Sequence, residues 1–212
     1  MDTRGILTAL LIGLTVVATL ALAGCPSRGL AEGPPGVTDV GTGEAAEQVP
    51  VEEADPQPAP DFALKAPGGA QVTLADYEGK ILVLDFWATN CTGCIEEMPE
   101  FRAMYEDWDH ERVEYLAVSL DTSIEVVEKF REDRPDLDLP MALADNQMLQ
   151  DYLGARLAIP QSRVIGPDGL IRYKFGPGPS AAQVGVAVTA LLAEADTADQ
   201  ATDIDAAHEA GG

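Results

Sequence analysis

The chain has 212 residues, with 36 acidic and 13 basic side chains and a formal charge of −23. So negative a balance excludes a nucleic-acid binder, which needs a basic footprint to meet phosphates. Three cysteines are too few for a disulfide scaffold, and an apolar share of 46% supports a buried core, which excludes global disorder.

The chain opens like an export signal. Arg4 supplies a short positive region, and residues 6–23 are uncharged and rich in Leu, Val, Ala and Thr. Leu22-Ala23-Gly24-Cys25 ends the run and resembles the lipobox of bacterial lipoproteins, in which cleavage precedes the cysteine and Cys25 carries lipid. Ala21-Leu22-Ala23 also fits ordinary signal cleavage, and a run of 18 residues also fits an uncleaved span. The lipoprotein reading is preferred because a polar linker follows the cysteine. All three place the main domain outside the cytoplasm.

Residues 25–58 are rich in Pro, Gly, Ala and Glu. They bury too little to offset ordering entropy, which predicts a flexible acidic tether. Residues 196–212 read as a disordered acidic tail, with a frayed helical extension as the other choice. About half of the negative excess belongs to these two segments.

Residues 59–195 form the predicted folded domain. Phe62-Ala63-Leu64, a Gly68-Gly69 pair and Gln71-Val72-Thr73-Leu74 predict a short hairpin. Residues 81–86 (Ile-Leu-Val-Leu-Asp-Phe) make a nearly continuous apolar run, the pattern of a strand buried on both faces. Apolar residues at 94, 98, 101, 105 and 108 have helical spacing. A second buried strand follows over 113–120. A helix over 123–134 has Ser123 as its N-cap and Pro135 as its stop. A short strand over 141–143 and a helix over 146–153 ending at Gly154 come next. Strands over 163–165 and 171–175 flank the turn Pro167-Asp168-Gly169. A helix over 180–195 turns Val184, Val188, Leu191 and Leu192 inward. This order predicts an α/β sandwich with a mixed central sheet flanked by helices, an N-terminal β-hairpin and a central short βα insertion.

The chemistry centres on Cys91-Thr92-Gly93-Cys94, which follows a buried strand and opens a helix. Cys-x-x-Cys in that setting is a redox motif. The first cysteine meets the unpaired N–H groups and dipole of a helix N-terminus, which stabilise a thiolate. The second lies one turn on, within reach of a mixed disulfide. Cys91 is therefore the expected nucleophile and Cys94 the resolving thiol. Other uses fit less well. A structural zinc site needs four ligands, and only Cys25, His110 and His208 could join the pair. A c-type haem site needs His where Ile95 stands. A structural disulfide across four residues would constrain little chain entropy. No metal or cofactor is expected.

The stretch Val83-Leu84-Asp85-Phe86-Trp87-Ala88-Thr89-Asn90-Cys91-Thr92-Gly93-Cys94 resembles the thioredoxin active-site segment. Glu96-Glu97-Met98-Pro99, Ala59-Pro60-Asp61-Phe62 and Leu74-Ala75-Asp76-Tyr77-Glu78-Gly79-Lys80 resemble the TlpA/ResA-like branch. That branch comprises membrane-tethered, extracytoplasmic thiol–disulfide oxidoreductases of thioredoxin fold, several of them serving cytochrome c maturation. The resemblance runs over residues 59–193. It implies a thioredoxin fold and exchange of disulfides with protein partners, as a reductant. It also implies a membrane attachment, here through the lipid anchor. No third thiol lies in the domain, so a separate thiol electron donor is implied.

The resemblance also assigns roles. Asp85 matches the buried acid that exchanges a proton with the second cysteine, and a carboxyl within an apolar run has a raised pKa suited to that task; as packing it would be a satisfied buried polar residue. Glu97 matches an acid near the site, and otherwise is an ordinary helix glutamate. Ile159-Pro160 matches the cis-proline segment that faces the cysteines and leaves a backbone free to pair with an extended substrate. Trp87 matches an aromatic beside the site, with core packing as its other role. Pro99 is expected to kink its helix. Asn90, Gly93 and Gln161 depart from the residues common in this family. Two alternatives accompany this expectation: a thiol peroxidase of the peroxiredoxin-related group, and a non-catalytic thioredoxin-fold assembly factor. Against the first, Ala88 stands three before Cys91, where a peroxidatic motif has Thr.

Overall fold

The computed structural model describes residues 52–210 except Arg156. The predicted signal segment, most of the tether and Cys25 lie outside the described residues. Eight strands form one sheet: β1 (Glu52–Pro58), β2 (Ala63–Lys65), β3 (Gln71–Thr73), β4 (Ile81–Trp87), β5 (Val113–Ser119), β6 (Met141–Leu143), β7 (Gln161–Ile165) and β8 (Leu170–Phe175). Four helices accompany them: α1 (Thr92–Asp107), α2 (Ile124–Asp133), α3 (Asn146–Leu153) and α4 (Ala181–Ala210). The strand order is β1-β8-β7-β4-β5-β6-β2-β3. Strands β4, β5 and β6 are parallel, and the remaining pairs are antiparallel.

Every residue of β4 is buried, as its apolar sequence requires at the centre of a sheet covered on both sides. Alternate residues feed two cores. Ile81, Val83 and Trp87 join Met98 and Phe101 of α1, Val127 of α2, and Val184, Val188 and Leu191 of α4. Leu82, Leu84 and Phe86 join Met148, Tyr152 and Leu153 of α3 on the opposite face. Asp85 therefore falls by parity on the face of α1, α2 and α4.

The turns follow local chemistry. Gly169 closes the β7–β8 hairpin with φ 74°, a conformation that costs glycine no Cβ clash. Asp145 caps α3 by accepting from the Met148 N–H at 2.8 Å, worth about 1 kcal/mol.

Three expectations need correction. Residues 52–58, assigned to the tether on composition, form β1 and pair with β8. Edge pairing uses backbone groups, which a Glu- and Pro-rich composition does not announce. Helix α4 continues through the tail to Ala210, as the alanine content of that segment favours. Ser123 sits at the N-cap position of α2 but makes no capping bond. Among the described residues no helix is long and apolar enough to cross a membrane.

Candidate active site

Cys91 and Cys94 form a disulfide, with S–S 2.09 Å and Cα–Cα 5.3 Å. Cys91 is the N-cap residue of α1, and its sulfur accepts a hydrogen bond from the Cys94 N–H at 3.2 Å. That donor is one of the unpaired N–H groups of a helix N-terminus, so the sulfur lies where negative charge is stabilised. Cys91 is half-buried, whereas Cys94 is 2% exposed. Only the first sulfur is open to a macromolecular partner.

Asp121, at the end of β5, holds the loop that delivers Cys91. It accepts from Thr89 N–H at 3.0 Å and Thr89 Oγ1 at 2.8 Å, and from Ser119 Oγ at 2.7 Å. Beside this loop a cleft of about 360 Å³ is lined by Thr89, Val126, Phe130 and the charged Glu125, Lys129 and Asp133. On the other side β7 runs antiparallel to β4, with Phe86 opposite Gln161 and Asp85 opposite Ser162. Ile159-Pro160 thus enters the sheet at the end from which β4 leads to Cys91. The Ile159–Pro160 peptide is cis, and Ile159 packs on the same core cluster as Cys91 and Cys94.

Two acids lie on the elements that flank the disulfide, Asp85 in β4 and Glu97 in α1. Asp85 is 2% exposed; its Oδ2 accepts from Tyr115 OH at 3.0 Å and its Oδ1 from Ser162 Oγ at 3.0 Å. Burial raises its pKa to about 6, with both hydroxyls pulling the other way. Tyr115 is itself pushed well above the ordinary tyrosine value, first by burial and then by Asp85. It therefore remains a donor throughout the range in which Asp85 titrates. Glu97 lies one turn beyond Cys94; burial, Asp85 and Glu100 raise its pKa to about 7. Its Oε2 is buried without a hydrogen-bond partner. Both carboxyls are thus held above their ordinary values, Asp85 by burial and Glu97 by burial and then by the charge of Asp85.

The site thus gathers Cys91, Cys94, Asp85 and Glu97, with Ile159-Pro160 at the same end of the sheet. Trp87 is fully buried, 4.7 Å from Phe130 between ring centroids, and its Nε1 has no partner. It shares with Cys94 the core cluster on which Cys91 packs. Helix α1 continues through Pro99. Tyr115, Ser162 and Asp121 were not foreseen. They stand 30, 77 and 36 residues from Asp85, and only strand register brings the first two to it. Among the described residues, no group of His, Cys, Asp and Glu could hold a metal ion.

A family model described as the AhpC/TSA family matches residues 56–174. The chain is 38% identical over 117 residues to the thiol-disulfide oxidoreductase ResA of Oceanobacillus iheyensis, covering 53% of this chain and 60% of that protein. It is 32% identical over 114 residues to ResA of Bacillus subtilis, covering 53% of this chain and 62% of that protein. The chain spans less than two thirds of the length of either relative. Among solved structures, a thiol:disulfide interchange protein of the thioredoxin family from Chlorobium tepidum aligns with TM-score 0.58 and 22% identity, covering 66% of this chain and 98% of that one. That likeness concerns the fold alone: a thioredoxin fold.

Proposed function

The chain belongs to the AhpC/TSA family, and from that premise and the site we propose that it is a thiol–disulfide oxidoreductase acting on disulfide-bearing proteins as a reductant. The observation that carries this reading is the asymmetric pair: Cys91 open at a helix N-terminus, Cys94 buried one turn behind it. In the reduced enzyme the Cys91 thiolate attacks one sulfur of the partner's disulfide, and the other sulfur leaves as a thiol. Cys94 then attacks the Cys91 sulfur, which forms the Cys91–Cys94 disulfide and releases the partner's second thiol. Two electrons pass from the pair to the partner.

Cys94 must lose its proton in the second step. Asp85, ionised above about pH 6, takes it as general base, with Glu97 as the closer match to neutral pH. Among the described residues neither the N–H nor the C=O of Ile159 has a hydrogen-bond partner. That backbone is available to an extended polypeptide. A lipid on Cys25 would hold the enzyme at the outer membrane surface, and reducing power would arrive from a separate thiol donor. A place in cytochrome c maturation suits the acidic domain, since apocytochromes are basic partners.

The test is Cys94→Ser, which should accumulate partners disulfide-bonded to Cys91. No accumulation, together with retained turnover in Cys91→Ser, overturns the roles. The reduction potential of the pair decides direction: a value above that of common protein disulfides would make the enzyme an oxidant. Family membership leaves a second reading, a thiol peroxidase, tested by peroxide consumption by the reduced protein; Ala88 three residues before Cys91 counts against it.

A further inference from the structure

Strand β7 opens with Gln161, Ser162 and Arg163, three buried polar residues in succession. Ser162 faces Asp85, so by alternation Gln161 and Arg163 face the side of α3. Arg163 is 6% exposed and has no carboxylate partner among the described residues. Its Nε and Nη2 both donate to the carbonyl of Tyr152, at 3.2 and 2.9 Å. Nη1 donates to the carbonyls of Ser162 at 2.9 Å and Phe175 at 3.2 Å, and Nη2 also to Gln161 Oε1 at 3.0 Å.

These acceptors share one neighbourhood. Tyr152 lies in the last turn of α3, after which the chain runs through residues 154–160 to the Ile159-Pro160 segment. Gln161, held by Arg163, donates from Nε2 back to the Ala158 carbonyl. Phe175 ends β8, and three residues later the Gly178 N–H donates to the Pro160 carbonyl at 3.1 Å. One guanidinium therefore fixes the chain before residues 158–160 and the strand end that leads to Gly178, and through Gln161 it grips the segment itself. Packing does not require a cation here, because a buried charge is costly and an apolar residue would fill the space. The planar fork of donors is what an apolar residue could not supply.

We propose that Arg163, acting through Gln161, is a positioning residue that sets residues 158–160 against Cys91 and so sets the affinity for the disulfide-bearing polypeptide. This rests on the reading of the site as a thiol–disulfide oxidoreductase. The deciding variant is Gln161→Glu, which keeps an acceptor for Arg163 but cannot donate to the Ala158 carbonyl. The substrate is a synthetic peptide with one internal disulfide. Losing one hydrogen bond of about 1 kcal/mol should raise KM five- to tenfold, with kcat changing less than threefold. Amide exchange at Gly178 should quicken by a similar factor, and the urea midpoint should stay at or above that of wild type. Arg163→Lys, where it folds, should show the same rise in KM.

Wild-type KM in Gln161→Glu, or unchanged exchange at Gly178, overturns the proposal. A wild-type protein that leaves the peptide disulfide intact overturns instead the parent reading of the site. The two failures are read from different samples.

Discussion

Replacing Asp85 by Asn keeps the shape of the side chain and removes the only ionisable group of β4. In the native fold the carboxyl titrates at about 6 against an ordinary value of 3.8, so the folded protein binds this proton more tightly than the unfolded chain. Below about pH 4 both states carry the proton and burial of the carboxyl costs nothing electrostatic. As pH rises through about 6 the unfolded chain has ionised freely and the folded one resists, so stability is lost. The interval of about two pH decades, at 1.36 kcal/mol each, puts that loss at ~3 kcal/mol by neutral pH. Asn escapes it. Its amide NH₂ is left facing hydroxyls that now bond only its oxygen, a cost of about 1–3 kcal/mol at every pH. Glu97 also loses a neighbouring charge in the variant, which adds in the same direction. The decisive quantity is therefore the change with pH: the stability of Asp85→Asn relative to wild type should rise by ~3 kcal/mol between pH 3 and pH 8. Urea unfolding of the disulfide-intact proteins across that range measures it. Parallel stability curves would refute the reasoning, because they would mean the buried carboxyl does not titrate with the fold.

Tyr115→Phe removes a donor that favours the ionised form of Asp85, so the carboxyl should titrate above about 6. A charge-assisted bond of about 1.5 kcal/mol corresponds to a rise of roughly one pH decade. Carboxyl chemical shifts followed against pH read the shift, and a fall would contradict it. Glu97→Gln takes away a group titrating near 7 and should flatten the pH dependence of disulfide exchange between pH 6 and 8. A rate profile identical to wild type would remove Glu97 from the proton path. Deleting residues 1–58 strips β1 from β8; with several backbone hydrogen bonds lost at about 1 kcal/mol each, a drop of roughly 2–4 kcal/mol and concentration-dependent self-association through the bared edge are expected. Sedimentation that stays monomeric at high concentration would show that edge to be guarded by something else.

What could be read in advance was what depends on neighbours in the chain. The β4 run, the helical spacing after Cys94, the Pro167-Asp168-Gly169 turn and the stop at Gly154 are local signals, and each element stands where its pattern predicts. The redox pair was legible for the same reason, since four consecutive residues carry it. Strand β1 was not, because a strand recruited at a sheet edge is specified by the partner's free backbone more than by its own side chains. The tail misled in the opposite way: residues 196–210 lack an apolar face, but alanine holds a helix already nucleated by the packed turns of α4. The partners of Asp85 needed register. Ser162 meets it because it stands opposite Asp85 on β7, and Tyr115, opposite Val83 on β5, reaches it from two residues back on the same face. The run Gln161-Ser162-Arg163 was a visible anomaly in a buried strand, and only its first member drew notice.

The pairing of β1 with β8 also decides at which end of the sheet the chain enters the domain. Glu52 lies opposite Lys174, which lies opposite Arg163, which lies opposite Leu84, one row short of Asp85. From there β1 runs toward Pro58 and away from the cysteines. The first described residue of the domain thus lies on the half of the sheet that carries the disulfide, and the strand takes the chain from there toward the opposite end. Chain entry and disulfide therefore share one end of the sheet, while the β7–β8 turn closes the other.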